Sequence, residues 1–95
     1  MFVVYLECSD NRDRAPELMD GHKTWLTQGF DDEVFLLAGS LQPGRGGAII
    51  AHNTDMESLE ARVAEDPFVA DNVVTASISE ITLARADERL AFPLD

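Results

Sequence analysis

The sequence predicts an α+β fold whose elements follow one another in the order β-α-β-β-α-β. Its 95 residues are enough for one domain and too few for two. Four segments are rich in apolar strand-forming residues, and two others carry apolar residues every three to four positions, as helices do. A glycine-rich turn over residues 42–47 joins two of the strand segments and favours a hairpin between them.

The first half of the chain predicts one helix between two strands. Residues 2–7 are rich in β-branched and aromatic side chains and run into a polar loop over residues 8–14. Pro16 suits the first turn of a helix, in which a stripe then recurs at helical spacing: Leu18, His22, Trp25, Leu26 and Gly29. Residues 33–40 form the second predicted strand.

The second half of the chain repeats the alternation of strand and helix. Residues 48–52 form the third predicted strand. Thr54 or Asp55 can cap the second helix, whose apolar stripe is Met56, Leu59 and Val63. The triplet of residues 66–68 (Asp-Pro-Phe) ends that helix, and residues 73–83 alternate between apolar and polar side chains as a fourth strand.

The connections predict how the four strands pair. The short link between strands two and three makes a hairpin, and each helix crosses between parallel strands. Right-handed crossovers then favour the split βαβ, ferredoxin-like arrangement: a four-stranded antiparallel sheet of order 4-1-3-2 with two helices on one face. We therefore predict a single domain over residues 1–95, in which residues 84–95 form a C-terminal extension of unassigned structure.

The predicted sheet has one face without a cover. Four strands span roughly 19 Å, and two helices of about 10 Å width cover only one such face. The second strand is apolar on both faces from Val34 to Leu37, and we expect Phe35 on the face without helices. A second copy of the same sheet is the expected cover, so the sequence predicts a homodimer.

The composition excludes several classes of partner. Seven Lys and Arg against eighteen Asp and Glu give a net charge of −11, which repels nucleic-acid phosphates and anionic membrane surfaces. The longest apolar run, residues 34–38, is far shorter than the roughly 20 residues of a membrane span. A single cysteine, Cys8, cannot form an internal disulfide, fits a cytoplasmic protein, and is expected to be at least half-buried. The sequence has no paired metal-ligand spacing and no dinucleotide fingerprint, so neither a metal nor a cofactor is predicted.

A candidate site lies at one end of the predicted sheet. Strands one and two end there, so the loop 8–14, the turn 40–46 and the segment around Asp66 converge near the start of the first helix. His22 lies about two turns into that helix on the inward stripe, as either a structural histidine or a functional base. Asp66 suits the N-cap of a short helix over residues 67–71, and its carboxylate can also orient His22.

Four further side chains are candidates for substrate binding at this end. Ser40 ends the second strand, where it can donate a hydrogen bond to a ligand or simply start the turn. Arg14 and Arg45 lie in the converging loops and can pair with a ligand carboxylate, although solvated loop arginines are common. Trp25 lies on the helical stripe beside His22.

The chain resembles the YciI-like (YCII-related) family over nearly its whole length, up to about Leu83. The resemblance is carried by four segments, namely residues 2–5, 22–26, 37–40 and 65–68. It implies a ferredoxin-like fold, dimers of the α+β barrel kind, and a catalytic pair formed by His22 and Asp66. Most members have no assigned substrate, and some act as lyase- or dehalogenase-type enzymes on small cyclic or aromatic compounds.

We expect a cofactor-free enzyme in which His22 takes a proton from an acidic C–H or O–H bond, with Asp66 orienting the imidazole. The outcome would be an elimination or an isomerisation. A non-catalytic dimeric or accessory domain that binds a small ligand in the same pocket is a second interpretation. A monooxygenase of the dimeric-barrel kind, related by fold only, is a third.

Overall fold

A four-stranded antiparallel sheet is the centre of the protein, in a computed structural model that describes residues 1–90. Its strands are β1 (Phe2–Cys8), β2 (Phe35–Leu41), β3 (Gly46–Ala51) and β4 (Val74–Glu80). They lie in the order β2-β3-β1-β4, which is the predicted order 4-1-3-2 viewed from the other edge. The predicted α+β, ferredoxin-like architecture is therefore confirmed.

Three helices connect the strands, each with the start that its sequence predicts: α1 (Ala15–Asp31), α2 (Met56–Ala64) and α3 (Pro67–Ala70). Proline lies in the first turn of α1 and of α3. Of the two predicted caps of α2, Asp55 is the one used, because its side chain accepts a hydrogen bond from the Ser58 amide.

Short 3-10 turns complete the described chain at Arg12–Arg14 and Glu88–Leu90. The second of these turns lies in the C-terminal segment 84–95, whose last five residues are outside the described part.

Three strand boundaries differ from the sequence prediction by two residues or more. One is the start of β3, at Gly46 and not at residue 48. Glu33 has a φ of 62°, in the left-handed region, so β2 begins at Phe35 and not at residue 33. β4 ends at Glu80, which pairs with Phe2 at the start of β1, so the predicted extension to residue 83 is wrong. Ile81 still exchanges backbone hydrogen bonds with Met1, but residues 81–83 do not continue the strand.

One face of the sheet is covered by the helices, and we call it the covered face. Its core combines alternate residues of β1 with side chains from the helices: Phe2, Val4, Leu6, Trp25, Leu59 and Val63. Phe35 also belongs to this face, where it is 3% exposed and meets the Trp25 ring edge-on at a centroid distance of 5.2 Å. The expectation that Phe35 lies on the face without helices is therefore wrong.

The opposite face, which we call the open face, carries apolar side chains without a cover from residues 1–90. The cross-strand register places Val3 beside Ile50, and Ile50 beside Leu37. Tyr5 follows two residues after Val3, on the same face. Leu37 is 58% exposed, so the apolar run of β2 does reach both faces, although through Leu37 and not through Phe35.

Backbone hydrogen bonds tie three loops together at the end of the sheet where β1 and β2 finish. The Cys8 amide donates to the Arg45 carbonyl, and the Ser9 amide donates to the Val73 carbonyl, both at 2.9 Å. The Asn11 amide and side chain donate to the carbonyls of Asn72 and Asp71. The predicted meeting of these loops is confirmed, and the candidate site lies at this end of the sheet.

Candidate functional site

His22 faces the sheet from the second turn of α1, with its side chain 14% exposed. Its ring lies parallel to the Phe68 ring, with a centroid distance of 4.1 Å and an interplanar angle of 3°. The Trp25 ring lies one helical turn further on, at 5.9 Å. These two aromatic neighbours restrict the imidazole to one orientation.

Asp66 is the one charged residue with no exposed surface in the described chain. Its Oδ1 lies 2.9 Å from His22 Nδ1 and accepts a hydrogen bond from the Phe68 amide at 3.0 Å. The same oxygen therefore caps α3 and lies within hydrogen-bond distance of the imidazole. The predicted contact between His22 and Asp66 is confirmed.

The pairing determines which nitrogen of His22 is free for chemistry. When Asp66 is ionised, its oxygens can only accept hydrogen bonds, and in that state Nδ1 carries a proton and donates it to Asp66 Oδ1. In a neutral imidazole the other nitrogen, Nε2, then has an unshared electron pair. Nε2 makes no hydrogen bond to any residue of the described chain. This is the tautomer that a general base requires.

His22 lies in the wall of a cavity of about 490 Å³ between α1 and the covered face. This volume is within the roughly 300–1,000 Å³ typical of small-molecule pockets. Most of the lining is apolar, and it includes Leu6, Met19, Leu26, Ile49, Phe68 and Val73. The polar contributions come from a few side chains at the end of the sheet: Cys8, Arg12, Lys23 and Ser40.

Of the four predicted substrate-binding residues, the structure brings Ser40 to the cavity wall. Trp25 is 8% exposed and lies behind His22, where its Nε1 donates a hydrogen bond to the Arg62 carbonyl at 2.9 Å. Its place is therefore in the core, supporting the imidazole. Trp25 does not appear in the cavity lining formed by residues 1–90.

The two arginines singled out from the sequence also lie outside that lining. Arg14 forms ion pairs with Glu17 at 2.7 Å and Asp71 at 3.2 Å. The hydrogen bond and charge of Glu17, followed by the charge of Asp71, raise the pKa of Arg14. Arg45 lies 3.8 Å from Glu7. In this conformation both guanidinium groups are directed to carboxylates of the protein itself.

Two cationic residues at the cavity were not identified from the sequence as binding residues. Arg12 lies in the 3-10 turn of the converging loop, and Lys23 follows His22 in α1. The sequence did place both near the correct end of the sheet. The sequence could not show which of Arg12 and Arg14 would form an ion pair with a carboxylate, because this depends on the conformation of the local turn.

Cys8 is exposed and lines the cavity, so the expectation of a buried or half-buried thiol is wrong. Its Sγ lies 3.8 Å from the Gly44 carbonyl. Residues 1–90 bring together no group of three His, Cys, Asp or Glu side chains suited to holding a metal ion. No helix in the same range is both long and apolar enough to cross a membrane.

The fold and site together define a small α+β domain with a ligand-sized cavity and a His–Asp pair in its wall. The YCII-related domain matches residues 1–81, and the chain belongs to this family. The family assignment from sequence resemblance is thereby confirmed. A comparison with curated proteins finds no significant match.

Proposed function

We propose that the protein is an enzyme that moves a proton on a small molecule, with His22 as the general base. The observation that carries this proposal is the 2.9 Å contact between His22 Nδ1 and buried Asp66 Oδ1 beside a cavity of about 490 Å³. Asp66 acts as the positioning residue, since it holds the imidazole and selects its tautomer.

The reaction begins when His22 Nε2 takes a proton from an acidic C–H or O–H bond of the substrate. The electron pair left behind forms a double bond, either expelling a leaving group or shifting an existing double bond. The imidazolium then returns its proton to the leaving group or to another carbon. These steps describe an elimination or an isomerisation, and they balance without an oxidant or a reductant.

The second carboxylate oxygen of Asp66 distinguishes this site from an ordinary helix cap. Oδ2 is buried and has no hydrogen-bond partner within residues 1–90. A buried carboxylate with an unpaired oxygen is costly, and an asparagine would cap α3 about as well without the charge. The charge has a use when His22 becomes protonated, because it then stabilises the imidazolium.

Hydrogen–deuterium exchange tests the proposal before the product is known. A panel of small carbonyl compounds with acidic C–H bonds is incubated in D₂O with the protein, and proton NMR follows the loss of each C–H signal. We expect the protein to accelerate exchange in at least one compound. His22→Gln should lower that rate by roughly 10²–10⁴, the usual contribution of a general base.

Two variants serve as controls for this assay. Asp66→Asn keeps an oxygen for the α3 cap and removes the charge, so it should fold normally and lose a smaller part of the rate. His52→Ala removes the other histidine, which does not line the cavity, and should leave the rate unchanged. If no compound exchanges faster with the parent than with His22→Gln, a non-catalytic binding domain is the better description.

We also propose that two copies of the protein pair through their open faces. Val3, Leu37 and Ile50 form an apolar surface there that residues 1–90 leave without a cover, and sheet-to-sheet packing would bury it. Sedimentation of the parent at micromolar concentration should give about twice the monomer mass of 10.5 kDa. Leu37→Asp should sediment as a monomer, because a buried charge without a partner is unfavourable. A monomeric parent would overturn this proposal.

A cytoplasmic location is proposed from the cysteine content. The single cysteine, Cys8, is an exposed free thiol, as expected of proteins in a reducing compartment. Cell fractionation with an antibody against the protein tests this assignment, and recovery outside the cytoplasmic fraction would contradict it.

A further inference from the structure

We infer that the cavity binds a small molecule with an anionic group and an apolar body, and that Arg12 and Lys23 bind the anionic end. This inference rests on the proposed function only in taking the same cavity as the ligand site. It adds the chemical class of the ligand and two residues that recognise it.

The cationic residues of the chain differ in whether they form ion pairs within the protein. The chain has seven Lys and Arg residues against eighteen Asp and Glu. Four of the arginines form salt bridges to carboxylates of the protein: Arg14, Arg45, Arg62 and Arg89. Within residues 1–90 the other three, Arg12, Lys23 and Arg85, form none, and two of these three line the cavity. In a chain so rich in carboxylates, unpaired cations at a cavity are available for a ligand.

The cavity wall formed by residues 1–90 contains cations but no acidic residues. Among the described residues, no Asp or Glu contributes to the lining. Asp66 contacts Nδ1 of His22 at 2.9 Å but is not itself part of the lining. A cleft with cations at its surface and apolar walls concentrates the positive potential and attracts anions. The lining thus differs in its charged residues from the molecule as a whole, which carries a net charge of −11.

His22 and the two cations differ in how they can interact with an anion. When His22 is protonated, its charge is balanced by Asp66 at 2.9 Å, so the pair offers little net attraction to an anion. Arg12 and Lys23 form no salt bridge to a carboxylate within residues 1–90. They can therefore hold the anionic group, and they can stabilise the negative charge that develops on the substrate as its proton leaves.

The apolar lining determines the rest of the ligand. Leu6, Met19, Leu26 and Ile49 surround the space next to His22 with hydrocarbon. A purely polar ligand would leave these side chains without a partner, whereas an apolar body would be desolvated against them. The geometry thus favours an amphiphilic anion, with its charge at the cationic end and its reactive bond near the imidazole.

Cys8 provides a reporter for the charge in the cavity, since it is the single thiol of the chain and lines the wall. Its thiolate displaces iodide from iodoacetate, which is anionic, or from iodoacetamide, which is neutral and of similar size. Mass spectrometry measures the two alkylation rates. Their ratio cancels changes in the reactivity of the thiol itself, so the ratio reports the local potential.

We expect the iodoacetate-to-iodoacetamide ratio to be higher in the native protein than in the same chain unfolded in urea. Arg12→Gln and Lys23→Gln should each lower the native ratio by roughly 2–5-fold, and added salt should do the same. Arg85→Gln is the matched control, because it removes an unpaired cation outside the cavity lining and should leave the ratio unchanged. Circular dichroism verifies that all variants are folded.

A competition experiment tests binding as well as potential. Hexanoate and hexyl phosphate should slow the alkylation of Cys8 by iodoacetamide more than neutral hexanamide does, and the Arg12→Gln/Lys23→Gln variant should lose this difference. Whichever of hexanoate and hexyl phosphate protects Cys8 more identifies the preferred anionic group as carboxylate or phosphate. Equal protection by all three compounds would overturn the inference.

The outcome is separable from that of the proposed function. The inference of an anionic ligand would be overturned by an iodoacetate-to-iodoacetamide ratio that is no higher than in the unfolded chain and does not change in the Arg12 and Lys23 variants. This holds even if hydrogen–deuterium exchange of the substrate depends on His22. If no compound shows hydrogen–deuterium exchange that depends on His22, the enzyme proposal fails, and the alkylation ratio still tests the anionic ligand by itself.

Discussion

The covered and open faces of the sheet are built from the same strands yet differ in what surrounds them. In β1 the side chains of Phe2, Val4 and Leu6 are at most 3% exposed, whereas Val3 and Tyr5 between them are only half-buried. Both sets are apolar or aromatic. The difference is that α1 and α2 pack on one set, while no described element packs on the other.

This difference shows that burial within a strand depends on register and not on hydrophobicity alone. β2 has a shift in register between Phe35 and Leu37, so Phe35 pairs with Ala51 and Leu37 pairs with Ile50. The two residues therefore lie on opposite faces, although both belong to one apolar run. The cavity forms on the covered face, next to Ser40 and Ile49.

The largest expected effect is a difference in stability between a charged substitution on the covered face and one on the open face. Phe35→Asp should abolish cooperative unfolding, because loss of a buried Phe costs about 3–5 kcal/mol and the buried charge adds several more. This approaches the entire stability of a small domain, roughly 5–15 kcal/mol. Leu37→Asp, at a residue 58% exposed, should retain its secondary structure and a cooperative transition in urea. Equal behaviour of the two variants would contradict the assignment of faces.

A smaller effect is expected where α1 approaches the covered face. A Cβ atom at Gly29 would lie 2.2 Å from the Phe35 ring, so Gly29→Ala should destabilise the protein by about 1–3 kcal/mol. This outweighs the gain in helix propensity, about 1 kcal/mol. Gly21→Ala is the matched control, since its Cβ would be 3.1 Å from Pro67 Cγ, a contact that a slight shift relieves. Urea midpoints compare the two, and a Gly29→Ala variant as stable as Gly21→Ala would show that the contact is not tight.

Two substitutions at Asp66 should show whether its charge serves the stability of the fold or the activity of the site. Asp66→Ala removes the acceptor of two hydrogen bonds, from the Phe68 amide and His22 Nδ1, and should cost about 1–3 kcal/mol. Asp66→Asn keeps an acceptor and removes the buried charge, so its stability should equal or exceed that of the parent. Chemical denaturation at pH 7 makes the comparison. A destabilised Asn variant would show that the charge of Asp66 serves the fold.

The smallest effect is expected at the solvent-exposed start of α2. The Ser58 amide hydrogen bond lowers the pKa of Asp55 below its ordinary value of 3.8. A carboxyl whose pKa is lower in the folded state stabilises the protein above the unfolded value, and this contribution is lost as the pH falls through the folded value. The parent should therefore lose part of its urea resistance below about pH 3.8 through this group.

Asp55→Asn isolates this contribution, because asparagine caps a helix about as well as aspartate and does not titrate. Its urea midpoint should match that of the parent at neutral pH and fall less between neutral pH and roughly pH 2.5. An identical fall in the two proteins would mean that the Asp55 cap contributes nothing to the acid sensitivity.

The candidate site was predictable in outline because its two central residues obey local rules. His22 follows from the helical stripe, and Asp66 follows from the cap before Pro67. Their contact required the topology, which brings the end of α2 next to α1. Arg12 and Lys23 were not recognised, because the sequence does not show which cations remain without a carboxylate after folding.

The sequence by itself determined the order of elements, the strand order of the sheet and the family. Periodicity, turn residues and the handedness of crossovers are local or topological constraints, and few arrangements satisfy all of them. Tertiary structure alone decided the face of Phe35, the pairing of Arg14 with Glu17, and the shape of the cavity. These features depend on a one-residue shift in register and on which side chains come into contact across the fold. Neither can be predicted from the local pattern of apolar and polar residues.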